Sequence, residues 1–287
     1  MIESPCIIDG MPMDEYQADP CPAPSLSSGI IRTLLQHTPK HAWLAHPRLN
    51  PEYKERVSDK FDLGSAAHGL LLEGDGKVCV VDADDWRTNK AKAERDEARA
   101  NGLSPLLFHQ YEGAKKLVES TLRFIYESDF RDAWGRGKSE RSMFWQEAEI
   151  WCRGRVDRHS EADNIMWDFK TSEIDSPESF MRGIPGMGTD IQASFYQRGM
   201  SRLIRGEAPR FILLVTESFA PYNSYWVEMS PARQSIGDSK VQAGIDQWTQ
   251  CVRSGKFPGY AKGVYQAEAS SWELSDHDVG LEISYGS

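Results

Sequence analysis

Two neighbouring segments of alternating apolar and polar residues constrain the fold of this chain most strongly. Residues 149–158 and 164–171 each show the two-residue period of a half-buried β-strand. Because only a short turn, residues 159–163, joins them, we expect the two strands to pair as a hairpin. The period places Ile150, Cys152, Gly154 and Val156 of the first strand, and Ile165, Trp167 and Phe169 of the second, towards a core. The ionisable residues of both strands are then predicted to share the reverse face.

Three ionisable side chains on that reverse face are expected to converge: Asp157, Asp168 and Lys170. Two ionised carboxylates at close range repel each other, and a hard divalent cation such as Mg²⁺ or Mn²⁺ relieves the repulsion. A lysine two residues beyond a ligand aspartate can orient a metal-bound water, which is the arrangement needed for phosphodiester hydrolysis. The residues alone leave a second interpretation open, in which the aspartates are surface partners of Arg153 and Arg155.

The order of elements along the rest of the chain predicts the fold class. Helices come first, then three strands near 142–171, a helix, two strands and a long final helix, which is the pattern of a central mixed β-sheet flanked by helices in an α/β domain. We expect residues 1–24, which are rich in proline, to form an extended N-terminal arm. Residues 25–260 would form one domain, and residues 261–287 a C-terminal tail.

The charge and the apolar content limit the partners of the chain. Acidic residues outnumber basic ones by 43 to 33, a net charge of −10, which argues against nucleic-acid binding over the whole surface but allows a local basic groove. The longest apolar run, residues 211–215, is far shorter than the ~20 residues of a membrane helix. No secretory signal is visible, and the five scattered cysteines form no metal-binding pair. We therefore expect a cytoplasmic protein without a membrane partner.

Five motifs occur in a fixed order along the chain: Gly64-Ser-Ala-Ala-His68, Glu140, Gly154-Arg-Val-Asp157, Asp168-Phe-Lys-Thr171 and Gln192 to Tyr196. In this order and spacing they resemble the RecB-like branch of the PD-(D/E)xK nuclease superfamily. Within that branch the sequence is most similar to the nuclease domain of the RecE-type exodeoxyribonuclease VIII family, over roughly residues 25–260. The resemblance implies a restriction-endonuclease-like core.

The resemblance also implies a metal site. Asp157, Asp168 and the backbone carbonyl of Phe169 would be metal ligands, and Lys170 would be the catalytic lysine. His68, which lies off the apolar stripe of its helix, would complete the metal shell, and Glu140 matches the family glutamate by position. Two alternatives stay open: His68 as a solvated helix residue or one shell further out, and Glu140 as part of a surface charge cluster. The implied cofactor is Mg²⁺, with Mn²⁺ as a substitute.

Several polar residues around the implied site are candidates for DNA contacts. Gln192 and Tyr196 lie four residues apart on one helix face, where they either steer the phosphate backbone or form a buried tyrosine with a glutamine partner. Ser27 and Ser28 either hold a 5′ phosphate at a helix N-terminus or simply cap that helix. The basic candidates are Lys138, Arg153, Arg155 and Arg158. The alternative is that they are solvated charges of an edge strand without a role in DNA binding.

The resemblance implies a 5′→3′ exonuclease of phage type that degrades linear double-stranded DNA from its ends. It would leave 3′ single strands for homologous recombination by a RecT-like single-strand annealing recombinase. Related enzymes are homo-oligomeric rings, so a trimer or tetramer with a basic channel would reconcile DNA binding with the negative net charge. The expected compartment is the bacterial or phage-infected host cytosol. Two alternatives are another RecB-like DNA nuclease, an endonuclease or one of different polarity, and a catalytically inactive DNA-binding module.

Overall fold

A computed structural model describes residues 1–53, 63–74, 77–271 and 273–274 of the chain. A six-stranded sheet of order β1-β4-β5-β6-β7-β8 forms its centre, and a separate two-stranded sheet pairs β2 with β3 in parallel. The strands are β1 (Cys6–Ile8), β2 (Val78–Val81), β3 (Ser104–Leu107), β4 (Lys138–Glu147), β5 (Ile150–Ser160), β6 (Ile165–Ser172), β7 (Arg210–Glu217) and β8 (Ser224–Glu228). The mixed α/β class and the central sheet predicted from the sequence are confirmed.

Helices cover both faces of the large sheet. They are α1 (Met13–Gln17), α2 (Ser28–Gln36), α3 (Pro39–Leu44), α4 (Leu63–Leu72), α5 (Asn89–Ala100), α6 (Phe108–Tyr126), α7 (Arg131–Arg136), α8 (Pro177–Met187), α9 (Thr189–Ile204) and α10 (Pro231–Ser254). Their ends follow local sequence signals: Ser230 caps α10 ahead of Pro231, and Ser27 caps α2 by accepting a hydrogen bond from the Ile30 amide. Within the described residues no helix is long and apolar enough to cross a membrane.

The connections between strands explain the mixed character of the sheet. The tight β4–β5 and β5–β6 turns produce antiparallel pairing, as predicted for the hairpin. Between β6 and β7 the chain runs through α8 and α9, and these two strands are parallel, with Asp168 opposite Leu213. The long crossover returns the chain to the same edge, as a parallel pair requires.

The predicted common apolar face of the hairpin is wrong. Ile150, Cys152 and Val156 of β5 belong to a core layer under α2, α9 and α10. Trp167 and Phe169 of β6 belong to the opposite layer, under α4 and α6. Because helices cover both faces, both sides of these strands are largely buried, and sequence alternation did not reveal which residues faced which layer.

The N-terminal segment is more structured than the extended arm expected from its prolines. It contains strand β1, which pairs with β4 through Cys6↔Phe144 to Ile8↔Ser142, and helix α1. A small apolar cluster anchors it to the sheet: Ile2, Met11, Cys21, Phe144 and Trp151. The segment thus lies against the strands that carry the proposed site. At the other terminus, residues 272 and 275–287 of the predicted tail lie outside the described residues.

Candidate active site

The candidate site lies where β5 and β6 separate. Their pairing runs from Ser160↔Ile165 to Arg158↔Trp167, and the same register places Asp157 opposite Asp168. At this level Asp157 Oδ2 accepts a hydrogen bond of 2.7 Å from the backbone N–H of Phe169. A side-chain carboxylate therefore binds an amide that a regular ladder would bond to backbone. The opening brings the two predicted aspartates to one place, as the sequence predicted, although by this separation rather than by a shared solvated face.

Three potential metal ligands meet at this opening: His68 of α4, Glu140 of β4 and Asp157 of β5. Their ligand atoms all lie within 4.8 Å of one another. His68 Nε2 is 3.1 Å from Asp157 Oδ2, and His68 Nδ1 is 3.7 Å from Glu140 Oε1. The β4–β5 register places Glu140 directly opposite Asp157, because Ser139↔Arg158 and Arg141↔Val156 flank them.

Glu140 is held in an unusual way for a strand residue. Its φ angle is +55°, in the left-handed region that non-glycine residues rarely occupy. Its side chain is buried, and Oε2 accepts a hydrogen bond from Arg155 Nε. Its other oxygen, Oε1, is buried and accepts no hydrogen bond from any described residue. A buried carboxylate oxygen with an unmet hydrogen-bonding demand, next to an imidazole, is the donor expected beside a cation.

Asp168 and Lys170 form the other half of the site, and Gln192 of α9 supports them. Lys170 Nζ lies 2.6 Å from Asp168 Oδ2, and Gln192 Nε2 donates a 2.6 Å hydrogen bond to Asp168 Oδ1. Asp168 is only 2% exposed, whereas the Lys170 side chain is about one-third exposed. Lys170 therefore offers its ammonium to the opening, while Gln192 fixes the carboxylate that Lys170 contacts.

The concentration of buried acids shifts the pKa values in the site. Burial raises the pKa of Asp168 to about 6 although the Lys170 ammonium opposes the shift, and burial also raises the pKa of Glu140. For Asp157 burial is outweighed by His68 and Lys170, so its pKa is lowered. Burial disfavours a charged His68, but Asp157 outweighs that effect and raises the pKa of His68 to about 9. The protein alone therefore attracts positive charge to this point.

The residues present fit a hard divalent cation. Carboxylates are the ligands that Mg²⁺ and Mn²⁺ prefer, and an imidazole favours Mn²⁺ of the two. The buried, unbonded Oε1 of Glu140 is the structural observation that speaks for a bound cation here. His68, Glu140 and Asp157 would hold the ion. Asp168 lies beside this group, against Lys170, and its ligand role and that of the Phe169 carbonyl stay predictions.

The Gln192–Tyr196 helix face is placed beside the site, but only one of its two residues contacts it directly. Tyr196 is buried, and burial raises the pKa of its hydroxyl to about 12. Its ring packs on Gly154, where an added Cβ would lie 2.9 Å from the ring. The buried-tyrosine interpretation of this residue therefore agrees with the structure, and Gln192 contacts Asp168 rather than solvent alone.

One predicted DNA contact is contradicted by the structure. Arg155 is 9% exposed, and its guanidinium bonds Glu140, the Met11 carbonyl and Ser142 Oγ. It is not presented to a phosphate, because the N-terminal segment covers the strand face that the sequence pattern assigned to solvent.

The other predicted contacts differ in their exposure. Arg153 is also buried and bonds Ser25, but it lines a cavity of about 390 Å³ together with Ser27 at the start of α2. Arg158 is partly buried and bonds the Trp134 carbonyl, and Lys138 is exposed and pairs with Asp9. These roles stay predictions.

Sequence reasoning missed Arg32. This exposed residue of α2 donates a 3.0 Å hydrogen bond to the Met187 carbonyl, and its side chain packs over Gly188. The pKa of Lys170 is raised because Asp168 and Asp157 outweigh burial, and the charge of Arg32 opposes that shift. Arg32 occurs outside the recognised motifs, so only the fold brings it to the site.

A mixed sheet with an acid pair and a lysine at a strand separation agrees with a PD-(D/E)xK nuclease, and the comparisons with known proteins support that superfamily. The chain belongs to the family described as PDDEXK-like domain of unknown function (DUF3799), whose sequence profile matches residues 31–268. No curated protein sequence matches the chain. The narrower RecE-type assignment stays a prediction.

Solved structures of low sequence identity also resemble the protein. One, from Eubacterium rectale and described as "Putative exonuclease", has 11% identity and a TM-score of 0.59 over 92% of this chain and 95% of that chain. Another, SSO0001, has 12% identity and a TM-score of 0.34 over 87% and 93% of the two chains. The first supports the fold, and the second is too dissimilar to support an argument.

Proposed function

We propose that this protein is a metal-dependent DNA nuclease, and specifically a 5′→3′ exonuclease that degrades linear duplex DNA to leave 3′ single strands for recombination by strand annealing. The observation that carries the proposal is the convergence of His68, Glu140 and Asp157 on one point, with Lys170 next to it. Family membership and the superfamily fold support a nuclease. The polarity and the DNA substrate rest on the resemblance of the sequence motifs.

Each residue of the site would have a defined part in phosphodiester hydrolysis. A bound Mg²⁺ or Mn²⁺ would supply Lewis-acid chemistry, lowering the pKa of water and offsetting charge on the phosphate. The Lys170 ammonium, partly exposed, would donate to the attacking water or to a phosphate oxygen. Asp168 would hold Lys170 in place, and Gln192 would hold Asp168, so that the amine does not need to reorganise during the reaction.

The start of α2 is the proposed place for the 5′ end of the strand. Ser27 and Arg153 line its cavity, and the N-terminus of α2 directs backbone N–H groups towards an anion there. We expect Ser27→Ala to reduce the preference for 5′-phosphorylated over 5′-hydroxyl ends several-fold, measured as the ratio of the two degradation rates. An unchanged ratio would remove Ser27 from the proposal, while the activity itself would still stand.

One assay separates the proposed activity from its alternatives. Linear duplex, nicked circle and closed circle are incubated with Mg²⁺ and the wild-type protein, then with Asp168→Ala and Lys170→Ala. Degradation of linear duplex alone, lost in both variants, supports the exonuclease. Cutting of closed circles supports an endonuclease instead, and binding without cleavage supports an inactive DNA-binding module. End-labelled duplexes decide the polarity.

The proposed assembly is a homo-oligomeric ring of three or four subunits, working with a RecT-like annealing protein. The ring would place basic side chains in a channel and leave the acidic exterior that the net charge of −10 requires. Light scattering coupled to size exclusion gives the subunit number. A monomer that degrades DNA processively would contradict the ring, and failure to retain the recombinase on immobilised protein would contradict the partnership.

A further inference from the structure

We propose that Arg155 is a positioning residue of the metal site: its guanidinium holds one oxygen of Glu140, so that the other oxygen faces the cation. The inference rests on the proposed metal dependence and adds a residue that would touch neither DNA nor metal. It assigns a role to the arginine of the Gly-Arg-Val-Asp motif, whose guanidinium bonds Glu140, Met11 and Ser142 rather than facing solvent as the sequence predicted.

Arg155 fixes its guanidinium through three hydrogen bonds, which two of its nitrogens donate. Nε donates to Glu140 Oε2, and Nη1 donates to the Met11 carbonyl at 2.8 Å and to Ser142 Oγ at 3.2 Å. A planar guanidinium with several bound N–H groups has little freedom to rotate. The group therefore presents Nε to Glu140 in one orientation.

The bond to Glu140 uses only one carboxylate oxygen. Guanidinium–carboxylate pairs are frequently bidentate, and a bidentate pair would occupy both oxygens. Here Oε1 stays without a hydrogen-bond donor among the described residues and lies 3.7 Å from His68 Nδ1. Arg155 thus has the contacts of a residue that orients a metal ligand. Removing such a residue commonly weakens metal binding.

The N-terminal segment takes part in this support. The Met11 carbonyl that accepts from Arg155 belongs to a segment anchored by buried Met11 and by Asp9, whose carboxylate pairs with Lys138 and Arg141. Without that carbonyl, the guanidinium would lose one of its three acceptors. The segment outside the recognised motifs is therefore connected to a metal ligand through one arginine.

Manganese titration without DNA tests the inference. Mn²⁺ is titrated calorimetrically into the wild type, Arg155→Met and Arg155→Lys. We expect Arg155→Met to raise the Mn²⁺ Kd about tenfold, within the range for lost ligand supports. Arg155→Lys keeps the positive charge but loses the planar guanidinium, so its Mn²⁺ affinity should lie between those of Arg155→Met and the wild type. The lysine variant also carries the test if Arg155→Met does not fold.

Arg153→Met is the matched control. Arg153 lies two residues earlier on β5, is equally buried, and bonds Ser25 and Asp19 instead of Glu140. Its variant should lose comparable stability in urea but keep the wild-type Mn²⁺ Kd. An equal loss of Mn²⁺ affinity in both variants would mean general damage to the sheet and would overturn the positioning role.

A double variant tests whether Arg155 acts through Glu140. In a Glu140→Gln background, Arg155→Met should cause no further loss of Mn²⁺ affinity. A full additional tenfold loss would overturn the inference. If the wild type binds Mn²⁺ and cleaves DNA but Arg155→Met binds Mn²⁺ normally, only this inference fails. If the wild type binds no Mn²⁺, the proposed metal dependence fails with it.

Discussion

Buried acids lie at both ends of the β4–β5 hairpin, and the two ends treat them differently. At the turn end, Glu147 accepts hydrogen bonds from Arg198 at 2.9 Å to each oxygen, from Arg202 at 2.7 Å and from Trp145 Nε1 at 3.2 Å. At the open end, Glu140 has one bonded oxygen and one without a donor among the described residues.

The contrast separates an acid whose two oxygens are both bonded within the protein from one that keeps an oxygen for another partner. A buried carboxylate with two arginines is electrostatically compensated within the protein, so nothing more is required of its surroundings. At the open end, three acids, Glu140, Asp157 and Asp168, share two permanent cations, Arg155 and Lys170. Against the effect of burial, Asp157 and Glu140 raise the pKa of His68 to about 9, so one further positive charge is favoured there. Burial alone does not distinguish the two ends; the count of donors does.

Replacing Lys170 should have the largest effect of the changes considered, and it should lower activity without unfolding the protein. We expect Lys170→Met to lower kcat on linear duplex by about 10³-fold, because it removes the ammonium that would stabilise charge on the phosphate. Circular dichroism should show the fold retained, since the side chain is partly exposed. A variant with more than a tenth of wild-type activity would place the open end in the same structural class as Glu147.

Replacing Arg198 should have the opposite signature. Arg198→Met removes two charge-assisted hydrogen bonds from buried Glu147 and leaves Arg202 as its remaining cation, which we expect to cost about 3 kcal/mol of unfolding free energy. Urea denaturation measures the loss. Specific activity of the folded fraction should stay at the wild-type value, and a tenfold drop would show that the two ends are coupled.

Divalent cations should stabilise the protein through the open end only. At a concentration 100 times its Kd, Mn²⁺ should add about 2.7 kcal/mol to the unfolding free energy, because it binds the folded state. Thermal melts with and without Mn²⁺ measure the shift in Tm. The shift should disappear in Asp157→Asn and persist in Arg198→Met; a shift retained in Asp157→Asn would place the cation elsewhere.

A third buried cluster contains Asp19, His46 and Arg153, and its acid is paired with an arginine, as at the turn end. We expect this cluster to make the unfolding free energy depend on pH. Burial, followed by the charge of Arg153, lowers the pKa of His46 to about 4. The unfolded chain takes up a proton below its ordinary pKa of about 6.5, whereas the folded protein does not. The contribution of His46 to the unfolding free energy is therefore complete above pH 6.5. It decreases as the pH falls towards 4, and the loss is about 2 kcal/mol at pH 5. Unfolding free energies of wild type and His46→Gln, compared at pH 7 and 5, isolate this slope.

The sequence predicted where the strands lie better than it predicted which of their residues face the core and which face solvent. Strand periods and short turns located β4, β5 and β6, and ordered motifs brought together His68, Asp157 and Lys170. The period could not show that helices cover both sheet faces, so Arg155 was assigned to solvent. That error arose because the covering segment has no periodic pattern of its own.

The remaining site features depend on contacts distant in sequence. Arg32 reaches the neighbourhood of Lys170 only because α2 packs beside the α8–α9 junction. The unbonded oxygen of Glu140 depends on the orientation of Arg155, which Met11 sets from 144 positions away in the chain. Neither relation leaves a local pattern in the sequence.

Gly154 makes the tolerance of this enzyme scaffold to mutation uneven. It carries no chemical group, yet any side chain there would push the Tyr196 ring, and with it the helix on which Gln192 is mounted. In a saturation mutagenesis screen, substitutions of this glycine should therefore lower activity as much as substitutions of the acids and the lysine, although it has no side chain that could contact a substrate. Engineers who want to reshape the cleft would do better to vary exposed positions such as Arg32 and leave the contact between strand and helix untouched.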